Sequence, residues 1–156
     1  MPHLRETLHV AAPADVVYDL VANLPRMGDW SPECERVTWR GDATGATKGA
    51  RFIGHNRAGA VRWVTQGEIV SAERGRNLAF EISFGPMKVA RWEYFIVPDQ
   101  DAADRCTVVE EWTDRRPAWY RMPADKLLGP REKINRRGIQ VTLENLKRAA
   151  ERLALS

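Results

Sequence analysis

Residues 130–156 read PREKINRRGIQVTLENLKRAAERLALS, and this stretch decides the fold of the chain. Its apolar residues recur every three or four positions, which places them on one face of a helix. They are Ile139, Leu143, Leu146, Ala150 and Leu153. Pro130 suits the first helical position, because the N–H that it lacks would have no partner there. The spacing predicts one helix of about 25 residues, roughly 37 Å long, which needs a partner surface of similar length.

The same helix carries three small or polar residues where its apolar stripe is interrupted. Asn135, Gly138 and Thr142 lie at i, i+3 and i+7, so they share a face. A mixed face of this kind favours the wall of a ligand cavity, with Asn135 and Thr142 orienting a polar group of the ligand. A structural alternative stays open, in which Gly138 lets helix and sheet approach closely and the two polar side chains cap backbone groups.

Upstream of this helix, apolar and polar residues alternate in runs separated by turn residues. Residues 3–11 predict a strand and residues 14–24 a helix, while the Pro- and Gly-containing segment PRMGDWSPECE allows only a short helical turn. CERVTWRG predicts a second strand, and five further alternating runs follow it. They are ARFIGHNR (50–57), AVRWVTQGEIV (60–70), NLAFEISF (77–84), KVARWEYFIV (88–97) and RCTVVEEWTD (105–114). The short connections predict an antiparallel meander, and the Pro-interrupted segment 117–129, PAWYRMPADKLLG, predicts a loop with a short turn.

Length and cysteine usage limit the class of protein. At 156 residues the chain fits one domain, 1–156, with one core. Cys34 and Cys106 have neither metal-ligand nor redox spacing. There is no signal-peptide pattern, lipidation motif or long apolar run. We therefore expect a cytoplasmic protein with free thiols and no stable membrane insertion.

Positive charge is concentrated late in the chain. The formal net charge is +3, but residues 115–148 carry ten basic and three acidic side chains, a net charge of +7, which leaves −4 for the rest. Such a stretch suits contact with nucleic acid, a membrane surface or an anionic ligand, and it equally suits the solvated outer face of a helix. Aromatic and basic residues do not interleave as a base-stacking platform, so we expect no nucleic-acid partner. Transient contact with a membrane surface and the oligomeric state stay open.

The order of these elements resembles that of the START and pathogenesis-related-allergen superfamily (SRPBCC), the helix-grip fold. Within it, the chain is similar to the bacterial polyketide cyclase/dehydrase and lipid-transport family. The likeness covers nearly the full length and is carried by APADVVYDLVANLPRMGDWSPE, GARFIGHNR, RWVTQGEIV, RWEYFIVP, CTVVEEWTD and NRRGIQVTLENLKRAAE. It implies an α+β fold, in which a curved seven-stranded antiparallel sheet wraps around the long C-terminal helix, with one or two short helices after the first strand. It also implies a cavity for a hydrophobic molecule, without deciding whether that molecule is bound or transformed.

Six tryptophans are many for this length, and four of them lie in predicted strands. Trp63, Trp92 and Trp112 each share a strand face with other apolar or aromatic residues. The simplest interpretation is an aromatic core with paired indole N–H groups. In a helix-grip fold the inward face of the sheet is both core and cavity wall, so we predict that these three residues contact the ligand.

A glutamate on the last predicted strand bears on the choice between a carrier and an enzyme. Glu110 alternates with Val108 and Trp112, so it shares their inward face, while Glu111 points the other way. Burial raises the pKa of a carboxyl group, which suits a general acid or base. A salt bridge to an inward arginine, or the inverted register that places Glu110 in solvent, is the alternative.

Two further residues complete the candidate acid–base set. Tyr94 shares a face with Trp92 and is a candidate hydrogen-bond donor or proton carrier. His55 shares a face with Ile53 and Arg57, and histidine exchanges protons near neutral pH. A structural or rim position explains His55 equally well.

Two functions remain after the motifs are considered. There is no phosphate-binding loop, dinucleotide fingerprint or metal-ligand spacing, so we expect neither cofactor nor metal. The first function is the binding or transport of a lipid, a polyketide or another aromatic or sterol-like molecule between sheet and C-terminal helix. The second is a polyketide cyclase, aromatase or dehydratase, in which Glu110, His55 and Tyr94 move protons without a cofactor.

Overall fold

Seven strands, three α-helices and one 3-10 helix make up the fold in the computed structural model, which describes all residues from 1 to 156. In chain order they are β1 (Leu4–Val10), α1 (Ala14–Ala22), the 3-10 helix (Leu24–Asp29), β2 (Cys34–Trp39), β3 (Arg51–Ala58), β4 (Val61–Glu73), β5 (Asn77–Phe84), β6 (Met87–Pro98), β7 (Cys106–Asp114), α2 (Ala118–Leu128) and α3 (Arg131–Leu155). The predicted order of one strand, a helix, a short turn, six strands and a long helix is confirmed.

The strands form one antiparallel sheet in the order β1-β7-β6-β5-β4-β3-β2. Six of the seven follow each other as a meander, and β1 pairs along its whole length with β7. Register shifts between β2 and β3, between β4 and β5, and between β5 and β6 interrupt the ladder. Such bulges bend a sheet and increase its twist, which suits a sheet that curves around a helix.

Helix α3 packs against β1, β7 and α1. Its buried residues are Asn135, Ile139, Thr142, Leu143, Leu146 and Ala150. The predicted apolar stripe is therefore confirmed except for its last member, because Leu153 is 52% exposed. Near the end of the helix, the Glu151 carboxylate accepts a hydrogen bond from the backbone N–H of Ala11 at 2.8 Å. Since β1 ends at Val10, Leu153 lies past the end of the strand that the helix covers.

The prediction of a loop at residues 117–129 is wrong, because α2 occupies eleven of them. Pro123 lies inside this helix and removes only one backbone hydrogen bond, the one that its N–H would have donated to the carbonyl of Trp119. Arg116 stabilises the arrangement, since its guanidinium pairs with Asp114 at 2.8 Å and with Asp125 of α2 at 2.9 Å. No helix of the protein is both long and apolar enough to cross a membrane.

The concave face of the sheet is packed closely around Phe52. Its ring makes edge-on contacts with Trp39 and Phe80, and it lies directly over Gly67 of β4. A Cβ atom at Gly67 would be 2.1 Å from Cζ of Phe52, closer than any side chain tolerates. The glycine is needed here because it leaves room for the ring.

Gly67→Ala is therefore expected to destabilise the protein by about 1–3 kcal/mol, through overpacking against Phe52. Denaturant unfolding followed by circular dichroism measures the effect. Gly45→Ala is the matched control, since nothing lies within 4 Å of a Cβ atom at that position. Equal stability of the two variants would contradict the contact between Phe52 and Gly67.

Candidate functional site

Glu110 and Tyr94 form a buried hydrogen-bonded pair on the concave face. They are direct register partners on β7 and β6. The hydroxyl of Tyr94 donates to Oε1 of Glu110 at 2.8 Å, and each residue is 2% exposed. Residues i and i+2 share a strand face, which is why the alternation of Val108, Glu110 and Trp112 turns this carboxyl inward.

Glu110 keeps one oxygen unpartnered. Oε2 is the only buried side-chain nitrogen or oxygen in the protein that has no hydrogen-bond partner. Burial raises the pKa of Glu110 to about 8, and the hydrogen bond from Tyr94 lowers it only in part. The pKa of Tyr94 is raised as well, by burial and by the negative charge of Glu110. Because Oε1 already accepts the Tyr94 hydroxyl, the acid proton belongs on Oε2, where it points at no protein acceptor.

The neighbouring carboxylates are all engaged elsewhere. Glu111 lies on the opposite face and pairs with Arg5 at 3.4 Å, so the orientation of the two glutamates is the one that alternation predicts. Glu6, the register partner of Glu110 on β1, pairs with Arg136 of α3 at 3.0 Å. Glu110 is thus the inward carboxyl that no cation neutralises.

Two of the three predicted wall tryptophans stand beside this pair. Trp92 and Trp112 are register partners with ring centroids 6.4 Å apart, and they lie two residues before Tyr94 and two residues after Glu110. Trp112 is fully buried, whereas Trp92 is half-buried. Trp63 lies farther along the concave face, half-buried on β4 opposite Asn56 of β3.

The three residues of α3 that were predicted to contact the ligand lie in the protein interior or at the edge of it. Asn135 and Thr142 are both buried, and Gly138 is half-buried. A Cβ atom at Gly138 would come 3.8 Å from Cγ of Pro32, an ordinary contact. Close approach of helix and sheet therefore does not require glycine at this position.

His55 lies away from the Glu110–Tyr94 pair. On β3 it alternates with Phe52 and Gly54, the buried concave-face residues, and it lies on the opposite face. The structure therefore joins Glu110 and Tyr94 and leaves His55 apart from both.

The concave face also holds polar residues that were not predicted as part of the site. The amide of Asn56 donates to the hydroxyl of Thr65 on β4 at 3.1 Å. Cys34, the register partner of Asn56, is half-buried, and burial raises the pKa of its thiol to about 11, so the thiol stays neutral. The inward position of Asn56 could have been predicted from the sequence, because alternation along β3 places it on the same face as Phe52.

Two surface depressions, one around residues 40–51 and one on the outer side of α3 around Gln140 and Glu144, contain none of the predicted site residues. No group of three or more His, Cys, Asp or Glu side chains is arranged to hold a metal ion.

Comparisons with known proteins agree with this architecture. Residues 1–151 match the model of a family described as polyketide cyclase / dehydrase and lipid transport. The fold is similar to that of a polyketide-cyclase-like protein from Corynebacterium glutamicum, with 28% identity, a TM-score of 0.63, and coverage of 95% of this chain and 90% of that one. No curated protein matches the sequence significantly.

Two more distant structures share the fold alone. A START superfamily protein from Mycobacterium smegmatis is 14% identical with a TM-score of 0.70, covering 96% of this chain and 97% of that one. The di-domain ARO/CYC StfQ of the steffimycin biosynthetic pathway is 18% identical with a TM-score of 0.69. That match covers 96% of this chain but 44% of StfQ, so the chain spans less than half of the di-domain protein. The predicted helix-grip fold is confirmed.

Proposed function

The chain belongs to the polyketide cyclase/dehydrase and lipid-transport family, and on this premise we propose that it binds a hydrophobic small molecule between α3 and the sheet. The ligand is a lipid, a polyketide or another aromatic or sterol-like molecule. The unpartnered Oε2 of Glu110 is the observation that supports this most, because a ligand carbonyl in this position would accept its proton.

The free energy of such binding has two sources. Apolar ligand surface leaves water against the aromatic wall, which contributes roughly 25 cal/mol per Å². A buried polar atom without a partner costs about 1–3 kcal/mol, and a carbonyl of the ligand would relieve that cost. Trp92 and Trp63 are half-buried while Trp112 is fully buried, which fits a ligand that enters past the first two and ends near the third. Asn135 on α3 offers a second polar group for orientation.

Titration with fatty acids, sterols and aromatic polyketides, followed by tryptophan fluorescence, tests this proposal. A ketone is expected to bind about tenfold more tightly than its deoxygenated analogue, because only the ketone accepts a hydrogen bond from Glu110. The double variant Glu110→Leu/Tyr94→Phe should bind both equally, since it removes both polar partners together and leaves neither unpaired. Glu111→Gln, on the opposite face, is the matched control and should retain the preference. If no ligand of any class changes the emission, the proposal fails.

A second candidate function is cyclisation of a poly-β-keto chain in the same place, and the geometry of the Glu110–Tyr94 pair favours it. A carboxyl whose pKa is about 8 holds a proton at neutral pH yet releases it readily, which suits general acid–base catalysis. Tyr94 would hold the carboxyl in position through its hydrogen bond to Oε1.

One carboxyl is sufficient for aldol closure. Ionised Glu110 takes a proton from a methylene group between two carbonyls, and the resulting enolate carbon attacks a third carbonyl carbon of the same chain. A carbon–carbon bond forms as the attacked carbonyl becomes an alkoxide. Glu110 then returns its proton to that oxygen, so the proton balance closes without a cofactor. The shape of the binding site selects the carbons that meet.

A further inference from the structure

Helix α2 presents its apolar side chains to solvent. Trp119, Met122 and Leu127 lie at i, i+3 and i+8, on one side of the helix, and are 75%, 74% and 83% exposed. The opposite side carries Ala124 and Asp125, which are half-buried. Helices in globular proteins turn their apolar side to the core, so α2 has the reverse orientation.

Further exposed apolar side chains, Leu128 and Ile134, stand at the end of α2 and in the first turn of α3. We call the exposed side chains of Trp119, Met122, Leu127, Leu128 and Ile134 the exposed apolar face. None of the residues of α2 is buried. A cluster of large apolar side chains left exposed on one part of a folded protein indicates a site of interaction.

A salt-bridge network fixes this orientation. Arg116 joins Asp114, at the end of β7, to Asp125 on the protein-facing side of α2. The guanidinium is nearly buried, with 9% of its side chain exposed. Turning the apolar residues inward would break the contact to Asp125, so the outward arrangement is the one that the ion pairs stabilise.

Unpaired cations lie on the same two helices as the exposed apolar face. Lys126 on α2, together with Lys133 and Arg137 on α3, is exposed and takes part in none of the salt bridges of the protein. Their neighbours Arg131 and Arg136 are instead neutralised by Glu33 and Glu6. Three cations without a salt-bridge partner therefore lie on the two helix segments that carry the apolar side chains.

We propose that α2 and the first turns of α3 dock on a lipid bilayer that carries anionic headgroups. An amphipathic helix with Trp and Leu on its outer side and lysines beside them buries the apolar groups at the headgroup boundary, while the cations meet the anionic lipids. A second copy of the chain fits this face poorly, because a two-fold contact would bring the unpaired cations of both copies together.

Flotation with vesicles tests the proposal. The protein should float with vesicles of phosphatidylcholine and phosphatidylglycerol, not with phosphatidylcholine alone, and added salt should release it. Trp119→Ser/Leu127→Ser should weaken binding roughly tenfold or more, because two apolar side chains no longer enter the boundary. Lys126→Glu/Lys133→Glu should weaken it at least about tenfold as well, through the lost attraction to anionic lipid.

Matched control variants test whether flotation depends on the exposed apolar face and not on other residues. Val97→Ser and Lys48→Glu change an exposed apolar and an exposed basic residue elsewhere and should leave flotation unchanged. Glu110→Leu/Tyr94→Phe should also float like the unmodified protein, since docking is independent of the interior site. Equal binding to both vesicle types, or no flotation, would overturn the proposal. So would a dimer in light scattering that the serine variant converts to a monomer, because a second copy would then cover the face.

Discussion

Glu110→Gln is expected to slow cyclisation of a poly-β-keto substrate by about 10²–10⁴-fold, the usual loss when a general acid–base group is removed. Glutamine retains the shape of the side chain, an acceptor for the Tyr94 hydroxyl and a donor toward the ligand, but it exchanges no proton. The dissociation constant of the substrate should therefore stay nearly unchanged while the rate falls. Single-turnover kinetics with the substrate below and above saturation separates the two quantities.

The pH dependence of the cyclisation rate is a second test of the role of Glu110. Abstraction of the methylene proton requires ionised Glu110, so the rate of the unmodified protein should rise with pH through a midpoint near 8. Glu111→Gln should follow the same profile, because that residue lies on the opposite face and pairs with Arg5. A Glu110→Gln variant that cyclises at the original rate would show that Glu110 is not the acid–base group.

The stability of the unmodified protein is expected to fall as pH rises from about 4.5 to about 8, and Glu110→Gln should remove much of that slope. The carboxyl of the unfolded chain loses its proton near 4.5, whereas burial keeps the folded carboxyl protonated until about 8. The folded state thus binds one more proton between these values, and each pH unit in this window lowers stability by up to about 1.4 kcal/mol. Below the window both states are protonated and the group contributes no slope.

Urea unfolding at intervals across this pH range measures the effect. The Gln variant should be close to the unmodified protein in stability at the acid end and more stable by several kcal/mol at the alkaline end, since it never has a charge to bury. Glu111→Gln is the control and should retain the slope. Parallel curves for Glu110→Gln and the unmodified protein would show that the carboxyl is not buried in its neutral form.

Regular patterns made most of the fold predictable from the sequence. Alternation with a period of two placed β3 to β7, and a spacing of three to four residues placed α3, because each element must bury one face. Helix α2 was missed for a physical reason, since Pro123 suggests an interruption and the helix buries no apolar side whose spacing would reveal it. The ion pair that links it to the rest of the protein, Arg116 with Asp125, depends on proximity in space.

The inward orientation of Glu110 and Tyr94 was predicted correctly, because alternation along each strand alone decides it. Glu110 and Tyr94 could be assigned to the inward face from their neighbours on each strand. Their pairing could not be predicted, because it depends on the register of β6 against β7, which loop sequences do not specify. The same limit applies to the Asn56–Thr65 hydrogen bond, whose partners lie on two strands.

The pairing of β1 with β7 has a consequence for the order of events during synthesis. Every register contact of β1 joins residues 4–10 to residues 106–112, so about a hundred residues must be translated before the first strand finds its partner. Helix α3, which covers β1, follows later still. Closing so long a loop is slow relative to forming local hairpins, so β2 to β6 can assemble on the ribosome while β1 remains unpaired. A nascent chain that stalls before β7 would expose an unpaired strand, so chaperone protection matters most from the emergence of β1 until β7 has been translated.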